Sequence, residues 1–455
     1  MESLPSLAEQ WTQLMRTGRH PEAKKLYWDK IFPLVEKKFL ANIVVTQQYD
    51  WLILPSGLSA SYPILLIKAL RPKKVYFLGT HEFREYLDII IQKTGLKPSE
   101  YEAETIDYAG MDVAEVYQHI QKHLEKFKNK KVVLDLTRGK RIMSAGAAIV
   151  GAFFGFDLVY IDEDWTDDIK RGVPGTERLV VSKNPFDVFG DLDMQTAHQL
   201  FNFHDYGAAM RIYSRLMGQV SDPRLVEIEH LLAESYAHWN AFNFGAASKK
   251  LSECRNRAAQ YSIKLPAGVE ENAFALQQLQ EVNLDTIPQE KQALHVIADL
   301  YANALRKART GQFEDAIARL YRCLELMSQS RLASHGISTS SPELASYSEA
   351  YKELTLKVYG REVSLPNEIG LKTGYLLLNL MNDALVEGQT IESLQAMFGA
   401  IRARDTSITA HGLRLAGQKV FNNLNEFAKS YFQTLCKVSG REMDELVRQH
   451  TFVTL

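Results

Sequence analysis

Five short apolar runs, WLILP, KVYFL, KVVLDL, DLVYID and RLVVS, lie between Trp51 and about Val181, with amphipathic stretches such as EYLDIIIQKTG and VAEVYQHIQKHLEKF between them. A strand that faces water on one side alternates apolar with polar residues; these runs are apolar almost throughout, so both of their faces must be covered. The pattern predicts a mostly parallel sheet with helices on each side, an α/β domain of Rossmann-like type. Ligands of such open sheets sit beyond the carboxyl ends of the strands, which directs attention to the residues that follow WLILP, KVYFL and KVVLDL.

From about Asp191 onward the strand pattern gives way to helical periodicity. The expected organisation is a helical extension over 1–50, the α/β domain over 51–190, a helical linker domain over 191–344 and a further all-α domain over 345–455, the last boundary lying near residue 345, just after the polar loop SHGISTSSPE. Tyr206/Ala209/Tyr213, Phe244/Ala247/Leu251 and Phe313/Ala316/Leu320 repeat an aromatic–Ala–apolar spacing that resembles tetratricopeptide hairpins, with RTGRHPEAKKLY a looser relative. Their intervals of 38 and 69 residues are too uneven for a solenoid. Lys plus Arg (53) nearly balance Asp plus Glu (55), so any contact with nucleic acid must come from local clusters. Cys254, Cys323 and Cys436 are too far apart for a CxxC pair and read as core thiols of a reducing compartment. The opening residues lack a continuous apolar segment, and the apolar stretch 142–156 is too short to span a bilayer. A cytoplasmic location without membrane contact is expected.

The segment Asp135-Leu136-Thr137-Arg138-Gly139-Lys140-Arg141 joins an apolar strand to a helix rich in small residues. Gly139 allows a tight turn, the helix N-terminus offers free N–H groups, and Arg138, Lys140 and Arg141 supply positive charge, a combination that suits a phosphate. Neither GxxxxGK[ST] nor GxGxxG is present, which counts against ordinary nucleoside triphosphate or dinucleotide binding. Two other strand ends add small polar groups: Ser56, Gly57 and Ser59 after the first strand, and Thr80 and His81 after the second. DLTRGKRIMSAGAA, with PSGLSASYP upstream, resembles the CARF domain, the CRISPR-associated Rossmann fold, over roughly residues 50 to 185. The resemblance implies a dimer whose paired strand ends bind a cyclic oligoadenylate messenger. Arg138 stands where the family commonly has Gly, which implies a more cationic contact.

Near the end of the chain, Arg404 is followed after six residues by His411 in IRARDTSITAHG. On a helix, positions seven apart share a face, which would aim a cation and an imidazole the same way. Metal-free RNA cleavage needs such a pair: a group of near-neutral pKa to move the proton of the 2′-hydroxyl, and a fixed charge for the phosphate. Spacing alone decides nothing: with four to six intervening residues allowed, Arg224 and His230 also satisfy it, within an ordinary helical stretch. Arg331 and His335 are one residue too close, and His119/His123 lack the Glu of HExxH and read as solvated. RDTSITAHG resembles the HEPN ribonuclease motif, with Asp405 in the place often held by Asn. The resemblance implies catalysis by Arg404 and His411 in a composite site of two protomers, and Arg402, Asp405 and Ser407 are secondary candidates for RNA contact. The expected protein is a cyclic oligoadenylate-activated, metal-independent endoribonuclease of single-stranded RNA, acting as a homodimer without cofactor and leaving a 2′,3′-cyclic phosphate. The alternative is a non-catalytic sensor whose helical half binds a protein partner.

Overall fold

A computed structural model describes residues 2–44, 47–106, 112–137, 139, 141–283, 286–288, 290–340, 342–408 and 411–455. The chain divides into two units, one comprising Met1–Asp191 with Gln219–Ser221 and the other Leu192–Gly218 with Asp222–Leu455.

The first unit is built on the strands β1 (Trp51–Ser56), β2 (Lys74–Gly79), β3 (Tyr101–Thr105), β4 (Val132–Asp135) and β5 (Asp157–Asp162), the small hairpin β6 (Trp165–Thr166) and β7 (Arg171–Gly172), and β8 (Arg178–Ser182). The main sheet has the order β3-β2-β1-β4-β5-β8. All its pairings are parallel except that of β8, which returns antiparallel to β5. Successive side chains of a strand point to opposite faces. Leu52, Leu54, Val75 and Phe77 accordingly enter the core on one side, while Trp51, Ile53, Tyr76 and Leu78 enter the core on the other. This two-sided burial is why the runs are apolar throughout.

One face is covered by the helices Leu4–Arg16, Phe32–Ala41 and Ser61–Leu70, so the stretch before β1 belongs to the core of this unit, through Leu7, Trp11, Phe32 and Val35. The opposite face carries Val113–Gln121 and Arg141–Phe154. Gly146 lets these two helices meet: a Cβ there would lie 2.7 Å from that of Val116. The chain leaves β1 towards β2 and β3, then crosses back to β4 on the other side. The reversal of strand order opens a crevice beyond the ends of β1 and β4.

The described residues of the second unit contain no strand, only helices. Its hairpins share one turn. His204, Phe242 and Gly311, each two residues before the aromatic residue of a repeat, all adopt a left-handed backbone, at φ 63°, 61° and 75°. The helices Tyr206–Leu216, Phe244–Tyr261 and Phe313–Ser334 start at those aromatics, and Ala209, Ala247 and Ala316 are fully buried where the helices approach. Gly18 makes the same turn before Ala23 in the first unit.

A single apolar core extends from Ala293 to Leu446 and draws on helices from both sides of the SHGISTSSPE loop. The C-terminal segment 449–455 folds back onto helices far upstream. Asn272 Nδ2 donates to the carbonyls of Gln449 and Thr451, both at 2.9 Å, and Asn202 exchanges two hydrogen bonds with the backbone of Leu455. Between them Phe452 stacks on Tyr236, with ring centroids 4.4 Å apart and planes 9° from parallel. The guanidinium of buried Arg306 lies 3.7 Å from the centre of the Phe452 ring. All three cysteines are buried free thiols. Among the described residues, no helix is long and apolar enough to cross a membrane.

Candidate functional site

In the first unit the strand ends singled out above come together. Ser56 of β1 is in register with Gly79 of β2, and on the other side of β1 the loop containing Gly57 meets the loop after β4. A Cβ on Gly57 would lie 3.3 Å from the backbone nitrogen of Gly139, so the two backbones approach with no side chain between them. Gly139 has φ +117°, a conformation that only glycine adopts readily. Arg141 is exposed at the start of its helix, whereas Arg138 and Lys140 lie outside the described residues.

Several hydroxyls expected to face a ligand are engaged inside the fold. Ser56 is buried and donates to the carbonyl of Leu54 at 2.9 Å. Thr137 donates its hydroxyl to Asp135 and accepts a 2.9 Å bond from the backbone N–H of Ile161 on β5, which ties the cationic loop to the next strand. Asp135, 1% exposed, also accepts from the backbone of Thr137 at 2.9 Å and is the residue that shapes this turn. The Ser59 and Ser61 hydroxyls are 3.0 Å apart at the opening of the helix after β1. Thr80 turns its hydroxyl inward, where no partner reaches it among the described residues, and His81 is exposed.

His119 and His123, expected in solvent, instead reach Glu104 of β3 at 2.7 and 2.9 Å, beside the Tyr76 hydroxyl. Burial alone would raise the Glu104 carboxyl, but the hydrogen bonds from Tyr76, His123 and His119 outweigh it and lower the pKa to about 2. Among the described residues no group of three or more His, Cys, Asp or Glu is arranged to hold a metal ion.

In the second unit the segment from Arg404 to His411 is not a continuous helix, which corrects the helical reading. The helix Ile391–Asp405 stops at Thr406, and His411 sits on the turn that follows. Three β-branched residues, Thr406, Ile408 and Thr409, come directly after an aspartate in the last turn, where the helix dipole disfavours negative charge. The chain then closes on itself. The N–H of His411 donates to the Asp405 carbonyl at 3.1 Å, that of Gly412 to the Ser407 carbonyl at 3.0 Å, and that of Ile408 to the Arg414 carbonyl at 2.9 Å, beside a short bridge between Ser407 and Arg414.

Within this closed turn His411 is exposed, while the Arg404 side chain is only 24% exposed and its guanidinium lies 4.4 Å from the centre of the Tyr321 ring. Asp405 stands between Arg404 Nη1 at 3.4 Å and Lys372 Nζ at 3.6 Å. Arg402 is exposed. Ser407, expected to contact RNA, is completely buried because the bridge to Arg414 closes over it. The rejected pairs remain apart from this turn: Arg331 and His335 both bind the buried Asp383, each at 2.7 Å, and His230 bonds Ser214. Tyr321 and Glu314, which accepts a 2.6 Å bond from the N–H of Ala416, come from the helix Phe313–Ser334 and Lys372 from the helix Leu371–Leu380, so sequence spacing did not reveal them.

Gly412 is what lets the turn close. A Cβ there would fall 2.0 Å from the carbonyl oxygen of Thr406, against rigid backbone. Gly412→Ala is therefore expected to open the turn and speed amide exchange at His411 by about tenfold or more, without lowering the melting temperature of the unit. Unchanged exchange by mass spectrometry would contradict this account.

Two family models match the helical unit: the Csm6 6H domain over residues 189–282 and the Csm6 HEPN domain over residues 286–435, the latter containing both Arg404 and His411. The CRISPR system endoribonuclease Csm6 of Thermus thermophilus is 27% identical over 474 residues, covering 96% of each chain. A solved structure, Enterococcus italicus Csm6 bound to cyclic hexa-2′-fluoro-hexa-dAMP, aligns with a TM-score of 0.48 at 13% identity, over 88% of this chain and 98% of that one.

Proposed function

Because this chain belongs to the CRISPR-associated CARF–HEPN ribonuclease family, we propose that it is an endoribonuclease of single-stranded RNA that is switched on when a cyclic oligoadenylate binds the crevice beyond β1 and β4. The peptide groups around Gly57 and Gly139 would approach the ring, and the cations Arg138, Lys140 and Arg141 would meet its phosphates. Activation is a coupling free energy: the messenger binds the active arrangement of the protein better than the inactive one.

Cleavage then follows from Arg404 and His411. An imidazole takes the proton of the RNA 2′-hydroxyl, the 2′-oxygen bonds to the adjacent phosphorus, and the bond from phosphorus to the 5′-oxygen breaks. The leaving oxygen takes a proton from an imidazole, and the products are a 2′,3′-cyclic phosphate and a 5′-hydroxyl. Arg404 balances the charge that builds on the phosphoryl oxygens. Two sets of Arg404 and His411, one from each protomer of a two-fold dimer, make up the site, and no metal takes part.

The observation that carries this reading is the closed turn, which bonds the backbone of exposed His411 to that of Asp405, the residue next to half-buried Arg404 with its stacked guanidinium. The rival reading, a sensor without activity, draws on the negative charge of Asp405. Lys372, 3.6 Å away, offsets that charge and supports the nuclease.

The test is incubation of the protein and labelled RNA with cyclic tri-, tetra- or hexa-adenylate, with and without EDTA. Cleavage with one ring size, undiminished by EDTA, is the expected result. No cleavage with any ring, or its loss on chelation, would overturn the proposal.

A further inference from the structure

Two residues of the helix Phe313–Ser334 touch the RNA-cleaving turn, and they lie on one face of that helix. Glu314 and Tyr321 are seven positions apart, which is two helical turns. Glu314 Oε1 accepts from the N–H of Ala416 at 2.6 Å, at the point where the turn leaves towards the next helix, Gln418–Val438. Tyr321 lies under the guanidinium of Arg404, 4.4 Å from ring centre to the guanidinium carbon, at the point where the turn begins. The helix thus grips both limbs of the loop that presents His411.

We propose that Tyr321 and Glu314 are positioning residues for RNA cleavage, acting through Arg404 and through the loop of His411 respectively. The proposal rests on the nuclease reading above and extends it to residues that need not touch RNA. An arginine side chain has many rotamers, and one that must meet a transient charge works best when its plane is set beforehand. The face of a tyrosine ring attracts a guanidinium and fixes that plane without neutralising its charge, unlike a carboxylate partner. Ala416 is buried in the main apolar core, so the bond from its N–H to Glu314 anchors the far limb to a rigid element. Tyr321 then sets where Arg404 sits, Glu314 sets where the loop of His411 ends, and the rigid helix between them sets the separation of the two catalytic groups.

The experiment measures kcat, KM and melting temperature at saturating activator for the wild type, Tyr321→Phe, Tyr321→Leu, Glu314→Gln and Glu314→Leu. The phenylalanine keeps the ring face and the glutamine keeps a carbonyl acceptor, so both are expected within about twofold of the wild-type kcat. Each leucine variant is expected to lose about tenfold in kcat, with KM and melting temperature nearly unchanged. The proposal falls if the leucine variants keep full kcat, if the conservative variants lose as much as the leucines, or if the loss follows the melting temperature. Wild-type cleavage with any of those outcomes removes the positioning role alone, whereas a wild type that cleaves no RNA removes the nuclease reading with it.

Discussion

His411→Ala is expected to slow RNA cleavage by about 10²- to 10⁴-fold at saturating cyclic oligoadenylate, the range for loss of a positioned general acid or base. A thousandfold loss corresponds to about 4 kcal/mol of transition-state stabilisation. The substitution is clean because the residue is held by its backbone: the N–H that donates to the Asp405 carbonyl persists in alanine, and the imidazole itself is exposed. The closed turn, the melting temperature and messenger binding should all survive. Single-turnover cleavage of labelled RNA, with a thermal melt as control, measures both sides of the claim. A variant retaining more than about a tenth of wild-type activity would remove His411 from the chemistry.

Phe452→Ala should have the largest effect on stability. The ring is 4% exposed, stacked on Tyr236, 4.9 Å from the centre of Trp239 and in contact with the guanidinium of Arg306. Truncating a buried phenylalanine costs about 3–5 kcal/mol, through lost transfer energy and the cavity left behind. Arg306 adds to the cost. Its Nη1 donates to the carbonyl of His450 at 2.9 Å, but its Nε and Nη2 meet no hydrogen-bond acceptor among the described residues, and burial holds its pKa below the ordinary arginine value. Asp299 lies 3.9 Å from Nη2, beyond hydrogen-bonding distance, and the buried charge would also lose the ring it rests on. A fall of about 10 °C in the melting temperature of the helical unit is expected. Leu225→Ala, which removes an exposed leucine, should stay within about 0.5 kcal/mol of wild type. Equal melting of the two variants would show that segment 449–455 contributes little to the fold.

The α/β half was legible because burial on both sides of a sheet leaves a direct trace in composition: residues 51–54 and 132–134 include no polar side chain other than the indole of Trp51. The crevice was legible for a related reason, since Gly57 and Gly139 stand at strand ends where backbone approach demands glycine. The engagement of Ser56 and Thr137 was hidden, because a hydroxyl that satisfies the fold and one that awaits a ligand are the same residue type in sequence. The helical reading of Arg404 and His411 failed although the contrary signal was present in Thr406, Ile408, Thr409 and Gly412; periodicity of two candidate residues is a weaker guide than local propensity. His119 and His123 read as solvated because their partner, Glu104, belongs to a strand that spacing does not link to them. Lys372 and Tyr321 likewise act across the fold, and no spacing rule connects them to Arg404. The polar loop SHGISTSSPE does interrupt the helices as expected, yet one core bridges it.

Asn202 and Leu455 are bonded to each other across 253 positions of the chain. Helical hairpins close through neighbours in sequence and form early, whereas bringing together such distant partners sacrifices chain freedom before any contact compensates for it. The aromatic centre around Trp239 is therefore expected to dry late in folding, when segment 449–455 arrives.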